Sequence, residues 1–77
     1  MEERIIEILE EVTEVKNLKD NKEIDLIEND ILDSLAFIEL IYKLEEEFNI
    51  EIQPTQVDSS TWRKVSSIEK MVKNFKN

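Results

Sequence analysis

The chain has no cysteine, no histidine and no glycine, and Pro54 is its one proline. The absence of cysteine excludes a disulfide framework and a thiol nucleophile. Without histidine as well, the common zinc sites and serine–histidine catalysis are excluded. The sequence contains no run of about 18 apolar residues, the length that a membrane span needs. The first residues alternate charged and aliphatic side chains, unlike a secretory signal. We therefore expect a cytoplasmic protein without membrane insertion and without a metal site.

Acidic residues dominate the charge of the chain. Nineteen acidic and ten basic side chains give a net charge of −9, which argues against nucleic acid or an anionic membrane as a partner. The basic residues are concentrated at the end: residues 63–77 carry five of them, and Glu69 is the one acid there. Both a solvated surface and an acidic docking face for basic enzymes agree with this pattern. The density of like charge favours a monomer.

Apolar residues recur at spacings of three and four in three segments, which predicts three helices. The first is predicted over residues 2–16 and the second over residues 34–48. In the second helix we expect these residues on the buried side: Leu35, Ile38, Ile41, Leu44 and Phe48. We expect these on its flanks or facing outward: Ala36, Phe37, Glu39, Leu40, Tyr42, Lys43, Glu46 and Glu47. With 77 residues, the chain has room for one domain with a small core. We predict a single all-α domain over residues 1–77, a three- to four-helix bundle.

The third helix is predicted to begin with a capping box, in which Ser66 and Glu69 each bond to the other's backbone amide. Its inner side is expected to consist of Ile68, Met71, Val72 and Phe75. The long connection over residues 17–29 is polar except for Ile24, Leu26 and Ile27, which we expect to fold inward. After Pro54, the sequence predicts a turn and at most one short helical turn.

A serine lies where a polar turn meets the second predicted helix, in the sequence Asp33-Ser34-Leu35. Asp and Ser are favoured N-cap residues because their oxygens accept hydrogen bonds from free amides of the first turn. Ser34 should therefore lie at the helix entrance, with its hydroxyl in solvent. A helix N-terminus stabilises negative charge by about 0.3–1 kcal/mol and can hold phosphate through its amides. This is a suitable place to attach a phosphodiester.

At these residues the chain resembles the acyl carrier protein superfamily, in which an Asp-Ser-Leu motif opens the second helix and the serine bears 4′-phosphopantetheine. The resemblance implies a carrier without catalytic residues of its own. It places the prosthetic group on Ser34, with Asp33 in the cap and Leu35 beside the attachment point. The family usually has a glycine shortly before the serine, where this chain has Asp30. Aspartate tolerates positive φ better than most residues, so the turn is still expected.

The later part of the sequence resembles the D-alanyl carrier branch of this superfamily. The resemblance depends on Ile50-Glu51-Ile52, Thr55, Val57 and Trp62, 28 positions after Ser34. Trp62 is expected to pack in the bundle. The branch implies loading of D-alanine as a thioester and its delivery to teichoic acids in cell wall biogenesis. It also implies three partners: a phosphopantetheinyl transferase, a D-alanine-adenylating ligase and a membrane-bound acyltransferase. An acyl or peptidyl carrier for fatty acid, polyketide or nonribosomal peptide synthesis is the alternative.

Partner binding and a different class of function both remain open at this point. Glu39, Glu46 and Glu47 are candidates for docking on the second helix, although a solvated helix face explains each of them too. An acidic helical adaptor, in which Ser34 is only a helix cap, is the competing interpretation. A stand-alone enzyme is disfavoured because nothing in the sequence combines a nucleophile, a base and oxyanion donors.

Overall fold

Three α-helices and three short 3₁₀ segments make up the computed structural model, which describes residues 2–76. The helices are α1 (Glu2–Thr13), α2 (Ser34–Phe48) and α3 (Val65–Lys76), and the 3₁₀ segments are Leu18–Asp20, Pro54–Gln56 and Ser59–Arg63. No strand occurs within the described residues, so the all-α prediction is confirmed. None of the helices over residues 2–76 has the length and apolar content to cross a membrane.

Helix α1 is shorter than predicted because Glu14 adopts a left-handed conformation with φ of 60°. The Thr13 hydroxyl donates to the Leu9 carbonyl at 2.6 Å and ends the last turn. The Leu18 amide then donates to Glu10 Oε2 at 3.0 Å, which ties the following segment to the helix. The predicted apolar side of α1 is confirmed: Ile5, Ile8 and Leu9 are buried, and Val12 and Val15 pack against the core.

Helix α2 has the predicted bounds but buries a different side. The prediction is wrong for Leu35 and Ile38, whose exposed fractions are 75% and 64%. It is also wrong for Ala36, expected to face outward, and for Leu40, expected on a flank, because both are buried. The buried residues recur every four positions: Ala36, Leu40, Leu44 and Phe48. Because α2 has apolar residues around most of its circumference, periodicity alone could not select this stripe, and packing against α1 decides it.

Helix α3 begins at Val65, and the predicted capping box is absent. The Ile68 amide donates to the Lys64 carbonyl at 3.1 Å, as expected for a helix that starts before Ser66. The Ser66 hydroxyl instead donates to Glu23 Oε2 at 2.7 Å. Val65 is fully buried, and its burial moves the helix start ahead of Ser66. Of the predicted inner side, Ile68, Met71 and Val72 are buried, whereas Phe75 is exposed.

The core lies between the three helices and is closed by residues of the loops. In the long connection, Leu26 is completely buried and Ile24 is half-buried, as predicted, but Ile27 is exposed. After α2, Ile52 is buried, and its amide donates to Glu45 Oε2 at 2.8 Å. The segment that follows contains two 3₁₀ turns, where the sequence predicted at most one.

Candidate functional site

Ser34 is the first residue of α2, and its side chain is exposed. The N-cap is Asp33, whose Oδ1 accepts a hydrogen bond from the Ala36 amide at 2.9 Å. None of the hydrogen bonds described over residues 2–76 uses the Ser34 hydroxyl. The predicted role of Asp33 in capping therefore agrees with the structure, and the interpretation of Ser34 as the cap does not. The Ser34 oxygen is available for a covalent bond without loss of the cap.

The loop that leads to Ser34 is held in shape by Asp25. Its Oδ1 accepts hydrogen bonds from the Ile27 amide at 3.0 Å and the Glu28 amide at 2.8 Å. Its Oδ2 lies 2.6 Å from Nη1 of Arg63. The Glu28 amide, assisted by the Arg63 guanidinium, holds the pKa of Asp25 below its ordinary value. The loop therefore carries a fixed negative charge at neutral pH.

Asp30 lies in the turn before Ser34, where the sequence predicted that an aspartate would have to adopt a positive φ. Its φ is 55°, so the turn is left-handed as expected for that position. The Asp30 amide donates to the Ile27 carbonyl at 3.1 Å, and the amides of Ile31 and Leu32 both donate to the Leu26 carbonyl at 2.9 Å. These bonds return the chain towards the core, with Leu32 buried just before Asp33.

An open cleft of about 550 Å³ lies beside Ser34, between the start of α2 and the Ser59–Arg63 segment. One wall contains Phe37 and Trp62, whose rings meet edge to face with centroids 5.0 Å apart. Trp62 is 4% exposed, in agreement with its predicted packing role. Ser59 and Arg63 also line the cleft. Sequence reasoning did not select Phe37, Ser59 or Arg63; the one available signal was that Arg63 starts the basic end of the chain.

A second surface, the α2 outer face, begins next to Ser34. We define it as the exposed residues Leu35, Ile38, Glu39, Tyr42, Glu46 and Glu47. The three candidate docking glutamates lie on it, but they differ in their contacts. Glu47 Oε1 lies 3.0 Å from Nε of Arg4 on α1. Glu46 accepts a hydrogen bond from the Tyr42 phenol, which raises the pKa of Tyr42. Glu39 has no ion-pair partner among residues 2–76, so it is the most available of the three.

The chain matches known carrier proteins over most of its length. The sequence model of the family described as "Phosphopantetheine attachment site" matches residues 3–72. The chain therefore belongs to the family of carrier proteins that bear 4′-phosphopantetheine as their prosthetic group, a family that is generally non-catalytic. An exposed serine hydroxyl on a helix N-terminus fits a phosphodiester-linked group.

Within this family, proteins similar to the chain include D-alanyl carrier proteins. That of Lactococcus lactis subsp. lactis is 34% identical over 77 residues, which cover 100% of this chain and 98% of the relative. That of Listeria welshimeri is 35% identical over 60 residues, 78% of this chain and 77% of the relative. That of Bacillus licheniformis is 31% identical over 74 residues, 96% of this chain and 95% of the relative. The resemblances to the superfamily and to its D-alanyl carrier branch are confirmed.

Proposed function

We propose that this protein carries D-alanine as a thioester on a 4′-phosphopantetheine arm attached to Ser34, and delivers it for D-alanylation of teichoic acids in cell wall biogenesis. The observation that carries the proposal is the free, exposed Ser34 hydroxyl at the first residue of α2, next to a cap supplied by Asp33. The three relatives named above are D-alanyl carrier proteins, which supports D-alanine as the cargo. The terminal thiol of the arm supplies the thioester chemistry, in agreement with a chain that has no cysteine.

The chain itself supplies little of the chemistry that this function needs. In the attachment step, the Ser34 oxygen bonds to the phosphorus that bears the pantetheine arm of coenzyme A. The pyrophosphate bond breaks, and adenosine 3′,5′-bisphosphate leaves. The hydroxyl proton goes to a base of the phosphopantetheinyl transferase. Asp33 Oδ1 accepts a hydrogen bond from the Ala36 amide, so we assign Asp33 to the helix cap. The chain positions an oxygen and supplies no catalytic group.

Docking of partners is the second task, and we assign it to the α2 outer face. Leu35 and Ile38 supply exposed apolar area beside Ser34, and Glu39, Glu46 and Glu47 supply negative charge. Paired charges across an interface mainly speed the encounter and select partners. The proposed partners are the transferase, a D-alanine-adenylating ligase and a membrane-bound acyltransferase. In this proposal the protein acts as a cytoplasmic monomer with one domain over residues 1–77.

Intact mass measurement after incubation with a phosphopantetheinyl transferase and coenzyme A tests the attachment. We expect the wild-type chain and the control variant Ser59→Ala to gain the mass of one arm, and Ser34→Ala to gain nothing. Modification of Ser34→Ala, or an unmodified wild-type chain, contradicts the proposal.

The cargo is tested on the holo protein with purified D-alanine ligase, ATP and D-alanine. We expect a D-alanyl thioester that hydroxylamine releases. Loading by a fatty-acyl or other amino-acyl donor, with none by D-alanine, favours the alternative carriers for fatty acid, polyketide or nonribosomal peptide synthesis and contradicts the assignment to teichoic acids.

A further inference from the structure

The loop that leads to Ser34 is built on its first two residues, Asp25 and Leu26. Oxygen atoms of these two residues accept hydrogen bonds from amides later in the loop. The donors are the backbone amides of Ile27, Glu28, Asn29, Ile31 and Leu32, at 2.8–3.2 Å. Because these bonds converge on Asp25 and Leu26, the position of that pair sets the path of the chain up to Asp33.

The first turn of α2 depends on this path more than the rest of the helix does. The first amides of a helix have no intrahelical partner, and Ser34 is the first residue of α2. The turn is held by the residues before it: Leu32 is buried, and Asp33 Oδ1 accepts a hydrogen bond from the Ala36 amide at 2.9 Å. The place of the Ser34 oxygen therefore follows the path of the loop.

Arg63 holds the start of the loop with two bonds. Its carbonyl accepts a hydrogen bond from the Leu26 amide at 2.6 Å, and its Nη1 lies 2.6 Å from Asp25 Oδ2. Arg63 itself follows Trp62, which is buried, and precedes Val65 by two positions, which is also buried. The loop is thus attached, backbone and side chain, to a point that the core fixes.

We propose that Arg63 and Asp25 are positioning residues for the attachment reaction at Ser34. Their ion pair fixes the loop, so that the Ser34 hydroxyl reaches the phosphopantetheinyl transferase in one defined place. Neither side chain acts on the reacting atoms. The inference rests on the attachment to Ser34 proposed above and adds the residues that present the serine.

The inference also separates the two reactions of the carrier. The transferase reacts with the Ser34 oxygen itself, and a misplacement of about 1 Å in a reacting group can cost about 100-fold in rate. The ligase reacts with a thiol at the far end of a flexible arm, which does not require a fixed serine. The ion pair should therefore matter for attachment and not for loading with D-alanine.

Initial rates of arm attachment, measured by intact mass over a range of carrier concentrations at saturating coenzyme A, test the first part. Arg63→Met should lower kcat by about 10- to 100-fold. KM for the carrier should stay as in the wild type, because the α2 outer face is untouched. Arg63→Lys keeps the cation and a donor, so it should restore most of the rate.

A second variant and a neighbouring control show whether Arg63 acts through Asp25. Asp25→Asn retains Oδ1 as an acceptor for the loop amides but loses the charge, so it should also lower kcat. The double variant Asp25→Asn/Arg63→Met should be no slower than Arg63→Met, since both changes remove one contact. Lys64→Met removes the next cation, which pairs with Glu23 at 3.3 Å, and should keep the wild-type rate.

Loading is then measured on holo forms of the same variants, made by prolonged incubation and verified by mass. With D-alanine ligase, ATP and D-alanine, each holo variant should form the thioester at the wild-type rate. Circular dichroism checks that each variant is folded.

Each contrary result has a distinct meaning. Attachment to Arg63→Met at the wild-type rate overturns the inference, while the proposed function stands. Slow attachment to Arg63→Met but not to Asp25→Asn means that Arg63 contacts the transferase directly, and an equal loss of attachment and loading means general damage to docking; either result also overturns it. If the wild-type chain receives no arm on Ser34, the proposed function fails and the inference falls with it.

Discussion

Two adjacent residues at the start of α2 perform separate tasks. Asp33 Oδ1 satisfies the Ala36 amide, whereas the Ser34 hydroxyl points into solvent-accessible space and makes none of the hydrogen bonds described over residues 2–76. A group can thus be attached to Ser34 while the helix keeps its cap. Modification at Ser34 would therefore leave the hydrogen bond between Asp33 and the Ala36 amide in place.

The separation of tasks predicts different stabilities for two neighbouring variants. Asp33→Ala should lower the free energy of unfolding by about 0.5–2 kcal/mol, because a helix cap is lost. Ser34→Ala should change it by less than about 0.5 kcal/mol, as at other exposed positions, although we expect this variant to lose the attachment of the arm. Urea unfolding followed by circular dichroism measures both. A loss for Ser34→Ala as large as for Asp33→Ala would support the adaptor interpretation, in which Ser34 is the cap.

Asp25 gives the loop before Ser34 a dependence on pH. Hydrogen bonding to the Glu28 amide, with a contribution from Arg63, lowers the pKa of Asp25 below 3.8, its ordinary value. A carboxyl with a lowered pKa in the folded state contributes stability above its unfolded pKa and loses it as the pH falls through the folded value. The stability difference between the wild type and Asp25→Asn should therefore be largest at neutral pH and shrink as the pH falls below 3.8.

Paired urea titrations of the two proteins at a series of pH values measure this difference. Glu11 and Glu23, whose pKa values are also lowered by their partners, titrate in both proteins and cancel in the comparison. A difference that stays constant into the acid range would contradict the role assigned to Asp25.

At the scale of elements, α2 shows what local sequence signals can and cannot decide. Its bounds were predictable because both ends carry local signals: the cap at Asp33 and the left-handed Asn49, with φ of 53°. The side that it buries was not, because Leu35 and Ile38 are as apolar as Leu40 and Leu44. The predicted start of α3 was also wrong because of tertiary packing. Burial of Val65 outweighed the local capping pattern at Ser66.

The candidate site also has one part that the sequence predicts and one part that depends on how the elements pack. The Asp33-Ser34-Leu35 motif is contiguous, so the sequence alone predicts Ser34 as the attachment point, and its side chain is exposed at the start of α2. The cleft joins residues from the α1–α2 loop, α2 and the Ser59–Arg63 segment, which are far apart in the chain. The pairing of Phe37 with Trp62 and of Asp25 with Arg63 depends on how these elements pack, and no spacing in the sequence shows it.

The exposure of Leu35 and Ile38 predicts that they serve binding and not folding. Ser substitutions at either position should leave the free energy of unfolding within about 0.5 kcal/mol of wild type and slow loading of the holo protein by the ligase. Leu40→Ala is the matched control: Leu40 is completely buried, so this change should destabilise the protein by about 2–5 kcal/mol. Undiminished loading of both Ser variants would remove these residues from the docking surface.

Glu39 allows the electrostatic part of docking to be tested by itself. Glu39→Lys on α2 and Glu3→Lys on α1 change the net charge equally, and both positions are exposed. If the α2 outer face meets basic partners, Glu39→Lys should slow loading and weaken its dependence on salt, because charge complementarity acts mainly on the association rate. Glu3→Lys should have a smaller effect. Equal effects of the two variants would mean that only net charge matters.

At the scale of the whole molecule, ion pairs connect the acidic loop between α1 and α2 to the basic residues near the end of the chain. The basic residues near the end of the chain meet acidic residues of the long loop between α1 and α2. The observed pairs are Arg63–Asp25 at 2.6 Å and Lys64–Glu23 at 3.3 Å. The reverse pair, Lys22–Glu69, also joins this loop to α3, at 3.3 Å. The loop that positions Ser34 is thus fastened to the opposite end of the chain.

The Lys22–Glu69 pair should be the most sensitive of these connections, because Glu69 is 8% exposed. Its Oε2 has no hydrogen bond of good geometry within the described residues, so Lys22 Nζ compensates its charge by proximity. Lys22→Ala leaves a buried carboxylate without a partner and should destabilise the protein by about 1–3 kcal/mol. Lys19→Ala, an exposed lysine on the preceding 3₁₀ segment, should have little effect.

A double variant distinguishes a buried charge from a simple loss of packing. In Lys22→Ala/Glu69→Met the carboxylate is replaced by an apolar side chain of similar length, so part of the stability lost in Lys22→Ala should return. Urea unfolding of the wild type, the two single variants and the double variant gives the coupling energy between the two positions. If the double variant is less stable than Lys22→Ala by the full effect of Glu69→Met alone, the two side chains act independently. The ion pair then does not fasten the loop to α3, and that task is left to Arg63 and the buried Leu26.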